Sequence, residues 1–164
     1  PFKKSAGSWR RLGERDRQVV MTEVAFHLNV GDKRAYACRL LRKAYLKGSR
    51  LLVLGDEPTL DALDLALWLM GQGEFVPHAR GSDPAHVLRH SPILLSARET
   101  DGFAADVLVN MGSAMPAEVE RFDRVIELVG GGTEDRQGAR ERWRQYKAAG
   151  LEPLSHDLAA VRDS

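Results

Sequence analysis

The chain has 164 residues, 43% hydrophobic and 29% charged, with a net charge of +1 and one cysteine. This is the composition of an ordinary soluble globular protein with one buried core. It excludes a membrane-spanning helix, since no apolar run approaches about 20 residues, and Cys38 alone excludes an internal disulfide or a thiolate cluster. With no apolar stretch after its basic start, the chain reads as cytoplasmic.

Residues 1–20 carry Lys3, Lys4, Arg10, Arg11, Arg15 and Arg17 against Glu14 and Asp16, a net +4. The whole-chain charge of +1 therefore leaves −3 for residues 21–164. The globular part lacks the broad positive charge of a domain that wraps nucleic acid, so any anion binding must be local. The first twenty residues hold few apolar anchors and read as a disordered extension.

After Met21 the pattern alternates between strand and helix. Val24 to Val30 reads as a strand, and Asp32 as the N-cap of a helix over 33–47 that buries Ala37, Leu40, Leu41 and Ala44 and stops at Gly48. Residues 50–55 are nearly all apolar, the mark of a central strand covered on both faces. Pro58 and Thr59 open a second helix to about Met70, with Leu63, Ala66, Leu67 and Met70 inward. Phe75 to His78 reads as a short extended piece, and 80–85 as a loop. Further strands are expected at 93–95, 106–111 and 124–129, with a loop near 100–103. Gly130 to Gly132 lead into a polar helix over 133–149, stopped by Gly150 and Pro153. Residues 151–164 read as a tail. The alternation predicts a single α/β domain over 21–150, a Rossmann-like three-layer fold with a largely parallel central sheet.

Such a fold invites a nucleotide-binding or enzymatic reading, and the motifs oppose it. The turn after the first strand, Asn29-Val30-Gly31-Asp32, has one glycine and an acid where a dinucleotide fold needs a glycine-rich turn. No Walker A pattern occurs. Glu134 and Asp135 would repel a phosphate at the glycine triplet. His86 and His90 have i, i+4 spacing, but Pro84 and Pro92 bracket them and no third ligand is near, so no metal site is expected. Cys38 sits among buried helix positions and reads as a core side chain. No acid, base and nucleophile assemble, and no cofactor is implied.

The last helix, TEDRQGARERWRQYKAA, is different. On a 100° wheel Arg136, Arg140, Trp143 and Lys147 fall within about 60° of one another. Ala139 and Tyr146 continue into an apolar face. Five cations face Glu134, Asp135 and Glu141. A cationic stripe beside an apolar one suits a short acidic peptide with an apolar end: arginine holds carboxylates and the indole accepts the apolar group. A solvated amphipathic helix is the plainer alternative.

The stretch 139–150, ARERWRQYKAAG, resembles the C-terminal helix signature of the chi subunit of bacterial DNA polymerase III. So do Leu60-Asp61 through Leu67-Trp68, Phe75-Val76-Pro77-His78, 106–110 (DVLVN), 122–129 and the first strand, Val24 to Leu28. The resemblance covers about residues 21–155 in register. It implies a Rossmann-like fold without nucleotide chemistry and a non-catalytic place in the clamp-loader part of the replicase. It also implies binding of the acidic C-terminal tail of single-stranded DNA-binding protein, and in some bacteria of the psi subunit. The family's tail-binding positions fall on Val129, Arg136, Arg140 and Trp143; one family member has lysine and tyrosine in place of Arg136 and Trp143. The second partner interface falls on Trp68 and Phe75. The chain departs from that member by a shorter link after the first strand and by Gly130 to Gly132 at the pocket rim. A direct nucleic-acid binder using Lys33, Arg34, Arg39, Arg42, Lys43 and the N-terminal arm is the remaining alternative, and the net −3 of residues 21–164 argues against it.

Overall fold

A computed structural model describes residues 21–99 and 103–159. The expectations for the first twenty residues, for most of the 100–103 loop and for the last five residues lie outside the described residues. The strands are β1 (Glu23–Val30), β2 (Leu51–Leu54), β3 (Ala79–Arg80), β4 (Ile93–Ser96), β5 (Val107–Asn110), β6 (Arg124–Gly130) and β7 (Leu154–Asp157). The helices are α1 (Lys33–Leu46), α2 (Glu57–Trp68), α3 (Ala85–His90) and α4 (Thr133–Ala148). Five strands, β1, β2, β4, β5 and β6, were legible in sequence, whereas the extended piece expected at 75–78 pairs with no strand and leads into β3. The loop expected at 80–85 instead begins with β3 and ends in α3, and the expected tail contains β7.

The sheet order is β3-β4-β2-β5-β6-β1-β7. All its pairings are parallel. Parallel strands need covered crossovers, so both faces carry helices. One face buries Leu51, Val53, Val109 and Leu128 beneath α1 and α2. The other buries Phe26, Leu108, Val125 and Val129 beneath α4. The alternation of these residues along each strand is the period-2 rule at work. The fold is a Rossmann-like three-layer α/β arrangement.

The helix ends follow local chemistry. Asp32 caps α1 by accepting from the Ala35 N–H at 3.1 Å, and Asp56 caps α2 through the Thr59 N–H at 3.0 Å. Gly48 and Gly150 follow α1 and α4 with φ of 86° and 90°, a left-handed stop that costs glycine little.

One irregularity positions the site. The β1–β6 register runs from His27 opposite Leu128 to Val30 opposite Gly130, a bulge at the end of β1. Asn29 takes the left-handed backbone, φ 58°, which asparagine tolerates better than most residues. Its Nδ2 donates to Asp157 Oδ1 at 2.8 Å, tying edge strand β7 to the end of β1.

Candidate functional site

The site is built on α4. Its first turn is anchored by Asp135, whose Oδ2 accepts from the Gly130 N–H at 2.7 Å and from Lys33 Nζ at 3.0 Å. Burial raises the Asp135 pKa, but the Gly130 N–H and the Lys33 charge outweigh it and hold the carboxyl below the ordinary aspartate value. The protein's own carboxylate thus takes the Gly130 amide that a bound phosphate would need, and the starts of α1 and α4 are tied together.

From this anchor α4 runs across the sheet and leaves a groove of about 540 Å³. Strand residues Phe26, Leu28, Asn29 and Val129 form the floor. Arg136, Ala139, Arg140, Trp143 and Arg144 form the helical wall. Val129, Arg136, Arg140 and Trp143, chosen from sequence, therefore line one cavity. Lys147, on the same wheel sector, does not line it. Arg144, about 40° beyond Arg140 on the wheel, lines it instead and pairs with Glu141 at 2.6 Å.

The groove has an apolar interior and a cationic rim. Trp143 is half-buried, with its ring 5.1 Å from that of Phe26. Tyr146 meets Phe26 edge-on at 5.8 Å. Such aromatic pairs add about 0.5–1.5 kcal/mol to burial and fix the rings. Arg136 and Arg140 are exposed, and among the described residues neither has an ion-pair partner. The arrangement can hold a carboxylate at the rim and an aromatic or aliphatic group in the interior.

Behind the groove lies a buried polar cluster that sequence reasoning missed. Glu127 is 0% exposed and Arg142 is 2% exposed. The Glu127 carboxylate accepts from Arg142 Nε at 2.9 Å, Tyr146 Oη at 2.7 Å and Asn110 Nδ2 at 3.2 Å. Arg142 Nη1 also donates to the Ser113 carbonyl at 3.0 Å. Burial pushes the Glu127 pKa up, opposed by the Arg142 charge and by the three hydrogen bonds. Burial, and next the Glu127 charge, push the Tyr146 hydroxyl far above its ordinary value, so it stays a neutral donor. Arg142, counted from sequence as one of the helix's five cations, is thus the bolt between α4 and β6. The signal for it was Glu127 inside the apolar run RVIELV: a carboxylate in a covered strand requires a cationic partner.

Comparison with known proteins decides the family. The family model described as "DNA polymerase III chi subunit, HolC" matches residues 21–153. DNA polymerase III subunit chi of Pseudomonas aeruginosa is 32% identical over 146 residues, covering 86% of this chain and 100% of that protein. The chain belongs to the DNA polymerase III chi subunit family. The Escherichia coli chi subunit is 28% identical over 121 residues, 70% of this chain and 78% of its own length. Two solved structures share the fold at low identity. One is the C-terminal domain of the DEAD-box protein Dbp5, with TM-score 0.56 and 13% identity, covering 85% of this chain and 92% of that one. The other is a Saccharomyces cerevisiae Dbp5 variant in a complex with Nup159, Gle1, IP6 and ADP, with TM-score 0.57 and 12% identity, covering 83% and 42%. These likenesses concern the fold alone. Chi-family membership makes this chain an accessory subunit in DNA replication.

The second pair of positions in this chi-family chain lies away from the groove. Trp68 is 61% exposed and Phe75 is 44% exposed. Their rings stack at 4.9 Å, tilted by 33°. His78 packs against both, at 5.5 and 5.9 Å. It is fixed by Asp64 Oδ1 at 2.7 Å and the Val76 carbonyl at 2.8 Å. Leu65 and Leu69, on the same end of α2, are also exposed. The result is an aromatic platform on a rigid base. The remaining sequence candidates are dispersed. His86 and His90 are exposed on α3, and among the described residues no three His, Cys, Asp or Glu form a metal-holding group. Cys38 is buried, and burial pushes its thiol pKa up. Among the described residues no helix is long and apolar enough to cross a membrane.

Proposed function

We propose that this chi-family protein is a non-catalytic, cytoplasmic accessory subunit of the DNA polymerase III holoenzyme, associated with the clamp loader. In this reading its α4 groove docks the acidic C-terminal tail of single-stranded DNA-binding protein, and so links the replicase to coated template. The observation that carries the reading is the convergence of unpaired Arg136 and Arg140 with Trp143 and Val129 around one apolar cavity. A peptide with acidic residues and a C-terminal apolar group complements both halves of that cavity. The aromatic platform of Trp68 and Phe75 is the surface proposed for a further holoenzyme protein such as psi. No cofactor is needed for either task.

The test is calorimetric titration with an acidic peptide ending in Pro-Phe. Arg140 sits mid-rim, one turn from Arg136 and beside Trp143. Its guanidinium–carboxylate pair at a partly desolvated site is worth on the order of 2 kcal/mol. Arg140→Ala should weaken binding by roughly 30-fold, with little change in stability because the residue is exposed. Arg89→Ala, an exposed cation on α3, should change nothing. Equal losses from the two substitutions would mean diffuse electrostatics and no carboxylate pocket.

A further inference from the structure

We propose that a second cleft, between α1 and the β1–β7 edge of the sheet, binds the phosphate backbone of single-stranded DNA. This cleft, of about 320 Å³, includes Lys43 of α1, Lys47 at the C-cap of α1, Arg124 of β6, His27 of β1 and His156 of β7 in its lining. It lies on the α1 side of the sheet, whereas the peptide groove lies on the α4 side. The inference stands independently of the peptide reading.

The charge of the cleft is only partly compensated, which leaves Lys43 and Lys47 without an acid of their own in the lining. Its three permanent cations meet a single acid, Glu23, already bonded to Arg124 at 3.2 Å. No Asp or Glu occurs between Asp32 and Asp56, a span with seven Lys or Arg. Burial first, then the positive neighbours His156 and Arg124, hold the His27 pKa below its ordinary value.

The geometry favours a polyanion over a lone carboxylate. Arg39, Lys43 and Lys47 are exposed and follow one another at four-residue spacing. Each step rises about 6 Å along the helix, so the row extends the cleft's cations in a line. Lysines act as point charges suited to a row of phosphates. Rings border the same line. His27 meets Tyr36 edge-on at 5.7 Å and His156 at 5.4 Å, and His156 is exposed. Unpaired bases can stack on such rings, and bases locked in a duplex cannot, which selects single strands. The net −3 of residues 21–164 confines the contact to this strip.

The test uses the full chain and a fluorescent oligothymidylate of about twenty nucleotides, followed by anisotropy from about 50 to 200 mM salt. Neutralising three phosphates should give a log–log salt slope of about −2. Lys43→Glu/Lys47→Glu should lower affinity at least tenfold, and Lys43→Gln/Lys47→Gln should flatten the slope to about −0.7. Both variants should keep wild-type melting and wild-type affinity for the acidic peptide, since both side chains are exposed. Arg89→Glu should alter neither affinity nor slope. No oligonucleotide binding by wild type at low salt, equal affinity of wild type and charge-reversed variant, an equal loss with Arg89→Glu, or a selective loss of peptide binding each overturns the proposal. Failure of the peptide reading would appear separately, as an Arg140→Ala variant that binds peptide as well as wild type does.

Discussion

Replacing Arg142 by methionine removes the guanidinium and keeps most of the volume. Glu127 then stays fully buried with Tyr146 and Asn110 as donors, but without a counter-charge. The Ser113 carbonyl also loses its donor. Breaking a buried ion pair on one side costs about 3–5 kcal/mol. For a chain of this size each kcal/mol lowers Tm by about 2–4 °C, so Arg142→Met should melt roughly 6–20 °C early. Urea denaturation at neutral pH gives the free energy directly, with the m-value as a check on the unfolded state. Glu127→Gln alone should cost a comparable amount, since it leaves Arg142 buried and unpaired. The double variant leaves no charge behind, and should cost less than the two singles summed by at least about 1.5 kcal/mol. A single-variant cost under about 1 kcal/mol, or strict additivity, would refute the idea that this pair fastens α4 to the sheet.

Asp135→Asn should destabilise by about 1–2 kcal/mol at neutral pH, by weakening the bonds to Gly130 and Lys33. Because folding depresses the Asp135 pKa, the wild-type advantage is full above about pH 4 and is lost as pH falls through the folded-state value. Urea melts from neutral to acidic pH should show the two proteins converging; divergence on acidification would contradict the anchor. Trp68→Ala and Phe75→Ala should each cost less than about 1 kcal/mol of stability, since both rings are largely exposed. Calorimetry should find groove-peptide affinity unchanged in both and affinity for psi reduced, and an unaltered psi affinity would remove the platform from consideration as that interface.

The sequence made the central strands and the long helices legible because burial on both faces and a 3.6-residue period leave strong patterns. It brought Val129, Arg136, Arg140 and Trp143 together because helical spacing alone places three of them on one sector. It did not disclose α3, six residues without a buried side chain and bracketed by prolines, since no apolar period exists there to read. Nor did it disclose β7, whose four residues are all exposed. That strand forms because β1 offers an unpaired edge, a fact of the neighbour rather than of Leu154-Ser155-His156-Asp157. Arg142 was hidden by counting charges on α4 alone, when its partner lies on β6. Leu28 and Asn29 reached the groove through the bulge at the end of β1, which no local pattern announces.

The position of β1 in the sheet has a consequence for how the protein is made. Glu23 pairs with Arg124, and Ala25 with Leu154, so the first described strand finds its neighbours a hundred and more positions downstream. At about 5–20 residues per second, synthesis leaves β1 without a partner for roughly 5–20 s. During that interval Val24, Phe26 and Val30, all buried in the finished sheet, remain open to other chains. The crossover β2–α2–β3–α3–β4–β5 contains shorter-range pairings and can close first. Insertion of β1 between β6 and β7 then becomes the late, high-contact-order step that limits the folding rate. A nascent chain stalled before residue 124 should therefore hold an ordered central sheet beside an N-terminal strand that chaperones can still bind.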